Sequence, residues 1–425
     1  ISDAQGIRNL VDKTKQIKQN NPLSLIKSSC SLLYPALVAA SHPSPTAPPT
    51  ALLMLRDASC NPRRRRLRGA WSVLFPLTFS SGVFAVRQSP QRNHDNTFLG
   101  RSGNGSDPVL RVFVLAGQSN MVGHGMCDGT DPNSGQKING TLQWLVDNVP
   151  SQYGHLQNNG NWTEMTDVWI ACNDEDLQPV MHRYGNLRPC HCGGDLNQEG
   201  SQVGPELGFG FIVGKKLNRR QGDKVLLLKV AWGGKSLAVD FRPPRSGKEV
   251  GPYYDAALNA VHMTLANLTA YFPSIDTNFS VKLSGFAWHQ GWNDGCDAQM
   301  TAEYEFNLAN LIRDLRVDFD APNLPVSIGV SGMAGYSPGR RTDIVNAQFA
   351  VANRTKYPEF AGNVASVETR NYLREPKPHS PSDFDYHWNN NAESLWLVGE
   401  AMGKAMVEMV LREERRDARG TAAFS

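Results

Sequence analysis

From residue 108 onward the chain alternates short, nearly unbroken apolar runs with longer stretches in which apolar residues recur every three to four positions. PVLRVFVLA (108–116), KVLLLKVAWGG (224–234), VKLSGFAWHQG (281–291), LPVSIGVSG (324–332) and NVASVET (363–369) read as buried strands. Between and after them, residues 204–220, 253–269, 304–319 and 391–410 carry the helical repeat, as in YYDAALNAVHMTLANLT. Strand and helix in alternation predict an α/β fold: a mostly parallel sheet covered by helices on both faces. Residues 127–203 break the pattern. They are dense in Gly, Asn, Asp and Cys, and predict a loop-rich insertion of the kind that shapes a binding surface.

The first 107 residues lack this rhythm and are expected to lie outside the domain at 108–410. HPSPTAPPT (42–50) cannot pack a core. RRRRLR (63–68) followed by the apolar GAWSVLFPLTFSSGVFA (69–85) has the order of a secretory signal, so the segment 63–86 predicts export or a membrane anchor. Asn-x-Ser/Thr sites at Asn104, Asn139, Asn161, Asn267, Asn278 and Asn353 agree with export. Residues 411–425 read as a charged helix end and a loose tail. A formal net charge of +3 over 425 residues gives no reason to invoke a nucleic-acid partner. Of Cys127, Cys172, Cys190, Cys192 and Cys296, four could form two disulfides and leave one thiol, in pairings the sequence does not fix. Cys190-His191-Cys192 holds metal-ligating residue types. Its one-residue spacing and the lack of a second ligand pair argue against zinc.

Chemistry gathers at three strand ends: GQSN after 116, WGGKS after 231 and WHQGWND after 287. In open α/β sheets, sites form beyond the carboxyl ends of the strands. Ser119, on a tight turn after a strand, becomes a nucleophile if a histidine takes its proton. The bases on offer are His387 in DFDYHWNN, His289 at a strand end and His124 close behind the serine. An acid to hold the base comes from Asp385 or Asp383 for His387. Oxyanion donors are the Ser119 N–H, the bare amides of Gly233 and Gly234, and the side-chain amides of Gln290 and Asn293. Trp232, Trp288, Trp292 and Trp388 flank these motifs and suit the apolar faces of sugar rings. Arg242 and Arg245 in FRPPRSG are candidates to meet an acidic sugar, with a solvated loop as the equal alternative.

These motifs, AGQSNMVG, GPELGFG, KVAWGGKSL, WHQGWND and HWNNNAESLWLVGEAMG, resemble in order those of the sialate O-acetylesterase and acetylxylan esterase group within the SGNH hydrolase superfamily. The resemblance spans about 108–410. It implies a three-layer α/β/α, flavodoxin-like fold that removes O-acetyl groups from sugars with neither metal nor organic cofactor. It matches Ser119 to the nucleophile, His387 to the base, and His289, Gln290 and Gly291 to an HQG motif, with Gln290 an oxyanion donor. Read against the wider superfamily, Gly291-Trp292-Asn293-Asp294 spells GxND, whose Asn is that donor, so Gln290 and Asn293 compete for the role. Trp232, His289, Trp292 and Trp388 are the expected substrate contacts. Two departures matter: Trp292 stands where the group often has a triad glutamate, and Phe384 stands three residues before His387, where it often has Asp. Asp294 and Asp385 remain as acids, with a Ser–His dyad as the alternative.

Overall fold

A computed structural model of the chain describes residues 107–173, 177–194, 200–273, 275 and 279–422. Seven strands form the central sheet: β1 (Val109–Gly117), β2 (Met165–Asn173), β3 (Arg183–Leu187), β4 (Lys224–Ala231), β5 (Ser280–His289), β6 (Val326–Gly329) and β7 (Val364–Val367). They lie in the order β7-β6-β5-β1-β4-β2-β3. Every pairing is parallel except that of the edge strand β3 with β2. Alternate residues of β1 enter opposite cores: Leu110, Val112, Val114 and Ala116 on one face, Phe113 and Leu115 on the other. That period of two, with both faces buried, is why the strand reads as one solid apolar run.

Of the long helices, α1 (Pro205–Leu217) and α5 (Ala392–Ala422) cover the face of Phe113, while α2 (Pro252–Ala266), α3 (Ala298–Asp318) and α4 (Arg340–Val351) cover the other. The protein is thus an α/β/α sandwich. Helices α1 and α5 meet through glycine: a Cβ on Gly399 would lie 1.9 Å from the Pro205 carbonyl oxygen, and one on Gly208 2.3 Å from that of Trp396. The contact brings α5 close over the sheet, and the loop entering α5 carries His387.

Several expectations change. The loop-rich segment 127–203 also supplies two strands, β2 and β3, to the sheet. Helix α5 continues past residue 410 to Ala422. Disulfides Cys127–Cys190 and Cys172–Cys192 clip the segment together, which suits an oxidising compartment. They also remove the thiolates that a metal at Cys190 and Cys192 would need. Cys296 is disulfide-bonded as well, so the expected spare thiol is absent from the domain. The signal-like segment 63–86 and the other readings on residues 1–106 lie outside the described residues. Among the described residues no helix is long and apolar enough to cross a membrane.

Candidate active site

The chain runs from β1 out to β2 and β4 on one side, then crosses β1 to build β5, β6 and β7 on the other. The carboxyl end of β1 is therefore the point where the strand order reverses, the place where α/β sheets open a crevice. Gly117 ends β1 there because a side chain would not fit: a Cβ would stand 2.1 Å from the His289 carbonyl oxygen on β5. Ser119 then opens a single helical turn, Ser119–Val122. At the first helical position its N–H has no acceptor inside the turn.

The two amides flanking Ser119 are tethers. Gln118 is buried, and its Oε1 accepts hydrogen bonds from Gly291 N (3.1 Å) and Asn293 N (3.3 Å). Asn120 donates from Nδ2 to the Tyr386 carbonyl oxygen at 3.0 Å, next to His387. One amide thus fixes the loop after β5 and the other the loop before α5. Ser119 stands between them, 7% exposed.

His387 lies in a short 3₁₀ segment, Asp385–Asn390, whose Trp388, Asn389 and Asn390 have positive φ. Its ring stacks on that of His124, with centroids 4.1 Å apart and planes at 18°. Burial, then the charge of His124, holds His387 down to about 3. The side chain is thus a neutral imidazole at physiological pH. Among the described residues no hydrogen bond joins Ser119 to His387, and no carboxylate bonds the His387 ring. Asp385 is exposed and accepts from Tyr386 N (2.8 Å); Asp383 accepts from Lys377 N (3.0 Å).

Asp294, the other candidate acid, is wholly buried but turned elsewhere. Its carboxylate accepts from Leu237 N (2.9 Å), Ala238 N (2.8 Å) and Gln290 Nε2 (2.6 Å). Burial pushes it up to about 6, against those three hydrogen bonds. Gln290 spends its other amide proton on the Lys235 carbonyl oxygen (3.0 Å), and its Oε1 accepts from Tyr304 Oη (2.9 Å). With both protons committed, Gln290 has none for an oxyanion. Asn293 differs. Its Nδ2 bonds the Gly234 carbonyl oxygen, which uses one proton of two and sets the amide beside the exposed Gly233 and Gly234. A Cβ on Gly233 would meet nothing within 4 Å, so its backbone faces open space.

Most of the expected substrate contacts are core residues. Trp232 is 2% exposed against Phe241 and Tyr253. Trp388 and His289 are fully buried and stacked at 6.2 Å. His289 bonds the Gly329 carbonyl oxygen through Nδ1 at 2.9 Å, and burial lowers it to about 4. Trp288 is fully buried too. Trp292 is buried as well, 7% exposed, with the Arg341 guanidinium 3.5 Å over its ring and the Tyr386 ring at 5.8 Å. Arg242 and Arg245 are taken by Glu303 (3.0 Å) and Asp314 (2.6 Å). Tyr386, whose ring packs on His387, and the exposed Phe384, whose ring packs on Tyr386, were passed over by sequence reasoning. Both lie inside DFDYHWNN, where two acids alternate with the rings and give the stretch a polar signature.

A mostly parallel sheet between two helical layers, with a serine turn at its reversal point, is the SGNH-like hydrolase fold. The family model for carbohydrate esterases, sialic acid-specific acetylesterases, matches residues 109–408, and the chain belongs to that family of ester hydrolases. No curated protein matches it. Among solved structures, it is similar to a protein from Arabidopsis thaliana (17% identity, TM-score 0.45, 71% of this chain and 98% of that one). NanS is similar too (12%, 0.43, 73% and 99%), as is a carbohydrate acetylesterase from Xanthomonas citri (13%, 0.38, 69% and 56%).

Proposed function

We propose that the protein hydrolyses O-acetyl esters of sugars, of the sialic acid or acetylxylan type, through an acyl-enzyme on Ser119. The observation that carries this reading is the pair of tethers from Gln118 and Asn120. They bring the serine turn to the His387 loop on one side and the Asn293 loop on the other.

His387 takes the Ser119 proton as Oγ attacks the acetyl carbonyl, so the C–O bond to the enzyme forms. The tetrahedral oxyanion rests on the Ser119 N–H, the Gly233 N–H and the second Nδ2 proton of Asn293. The bond to the sugar oxygen then breaks, and His387 returns the proton to that oxygen. Water, deprotonated by His387, attacks the acetyl-enzyme and releases acetate, restoring Ser119. Of the two oxyanion candidates Asn293 is preferred, because the Gln290 protons are spent. The base works as a dyad with Ser119, since Asp294 and Asp385 both turn away from it. The open platform of Tyr386 and Phe384 offers aromatic faces to the sugar.

The test is acetate release from O-acetylated sialic acid and from acetylated xylan, wild type beside Ser119→Ala. A loss of roughly a thousandfold or more in kcat supports the nucleophile. Equal release by both proteins rejects it. The relative rates on the two substrates rank the sugars.

A further inference from the structure

We propose that His124 is the positioning residue of this site: its ring, stacked flat on His387, holds the catalytic imidazole where a triad carboxylate would otherwise hold it. The inference rests on the reading of Ser119 and His387 given above.

The geometry gives His124 little freedom of its own. Its Nδ1 lies 3.0 Å from Gln202 Oε1, and its carbonyl oxygen accepts a hydrogen bond from Asn390 Nδ2 at 2.7 Å. Gln202 in turn belongs to a short ladder in which Met126 pairs with Gln202 and Gly125 with Val203. The ring is therefore held by Gln202, and the His124 backbone by the loop that carries His387. Stacked rings 4.1 Å apart and 18° from parallel define the plane of the second ring as well as a single hydrogen bond could. Tyr386 closes another side, its centroid 4.5 Å from that of His387. The amide of Asn120 reaches the same loop.

The ionisable groups facing His387 are few. His124 lies across the stack and Tyr386 beside it. The acids on its own loop turn to the backbone N–H groups of Tyr386 and Lys377. A carboxylate would stabilise the imidazolium; a second imidazole does the reverse, because two stacked cations repel. The arrangement fits a base that must stay unprotonated in the resting enzyme. Its charge comes only when the Ser119 proton arrives and the oxyanion forms beside it.

The experiment compares wild type with His124→Ala, His124→Phe, Ser119→Ala and His387→Ala. It follows turnover of 4-nitrophenyl acetate and of O-acetylated sialic acid from pH 2 to 9, a range that includes the acid limb set by His387 at about 3, with circular dichroism confirming the fold of each across it. His124→Ala is expected to lower kcat by about tenfold to a hundredfold with KM little changed, the signature of lost orientation. His124→Phe keeps a flat ring and is expected to recover most of that loss. It lacks the second cation, so the acid limb of its kcat profile moves to higher pH, by about one unit. Wild-type kcat and an unmoved acid limb in His124→Ala would overturn the proposal, as would a folded His124→Phe no more active than His124→Ala. If Ser119→Ala or His387→Ala stays active, the catalytic reading itself fails and His124 has no base to position.

Discussion

At the scale of single residues, the site is organised by polar side chains that never touch a substrate. Asp294 is the clearest case. Buried among three donors, it ties the loop after β5 to Leu237 and Ala238, the turn that follows the glycine pair. Asparagine in its place presents an N–H group to a backbone N–H, leaving a buried donor unsatisfied at a cost of about 1–3 kcal/mol. Asp294→Asn is therefore expected to lower the urea midpoint, with activity falling in proportion to loop disorder. Were Asp294 the acid of a triad, the same change would leave stability intact and cut kcat about ten-thousandfold. Urea unfolding and kcat measured on one preparation separate the two roles. The motif WHQGWND did signal a functional loop. Its letters could not say whether Gln290, Asn293 or Asp294 faces outward, because that depends on where β4 leaves its glycines. The amides around Ser119 were legible as unusual and illegible as tethers, since their partners lie more than 170 residues away in sequence.

At the scale of elements, strand β4 braces the serine turn from below through a buried cation. Lys229, fully buried, donates to the Val122 carbonyl oxygen (2.8 Å), to that of Cys192 and to Glu206 Oε2 (3.1 Å). Glu206, in the first turn of α1, also accepts from Gly204 N (2.9 Å). One ammonium thus joins the end of the Ser119 turn, the disulfide-clipped Cys190–Cys192 stretch and the start of α1. Lys229→Met strands the Glu206 carboxylate and is expected to cost about 3–5 kcal/mol in chemical denaturation. Lys229→Met with Glu206→Gln removes the stranded charge, so the pair is expected to be more stable than the single variant. A double variant as unstable as Lys229→Met would show that the three carbonyl and carboxylate contacts matter, and not the charge balance. The same β4 illustrates what the sequence could reveal. KVLLLKVA reads as a buried strand despite its central lysine, and that lysine was the one sign of a buried ion pair. The helices were legible wherever the apolar repeat is strong. The start of α3 was not: Asp297 caps it by accepting from Gln299 N and Met300 N, ahead of a polar first turn that carries no repeat. Strands β2 and β3 were hidden for a different reason. RYGNL is short, MTDVWIACN has polar residues near its start, and both lie near or at the sheet edge among the turn residues that marked the segment as loops and short pieces. Helix α4, RRTDIVNAQFAV, buries only a few apolar side chains and gave too weak a period to register.

At the scale of the whole molecule, three buried groups contribute strongly to how stability answers acid. Burial holds His289 down to about 4, and burial with His124 holds His387 down to about 3, against 6.5 for an unperturbed imidazole. The unfolded chain takes up these two protons first, so their contribution is full above pH 6.5 and is lost as pH falls toward 4. Asp294 has the opposite sign. Burial raises its carboxyl from 3.8 to about 6, so the native state binds that proton first. Its contribution is full below pH 3.8 and is lost as pH rises through 6. At pH 4 the histidines cost more than the aspartate returns, and the net loss relative to pH 7 is on the order of 4 kcal/mol. His289 is the cleaner test because it takes no part in the proposed catalysis. Asn at this position can still donate to the Gly329 carbonyl oxygen but has no proton to gain. His289→Asn is therefore expected to be less stable than wild type at pH 7, through the space it leaves, yet to lose much less on going to pH 4. Urea unfolding at the two pH values gives that difference directly. An equal loss in both proteins would assign the acid sensitivity to groups other than the buried imidazole at the end of β5.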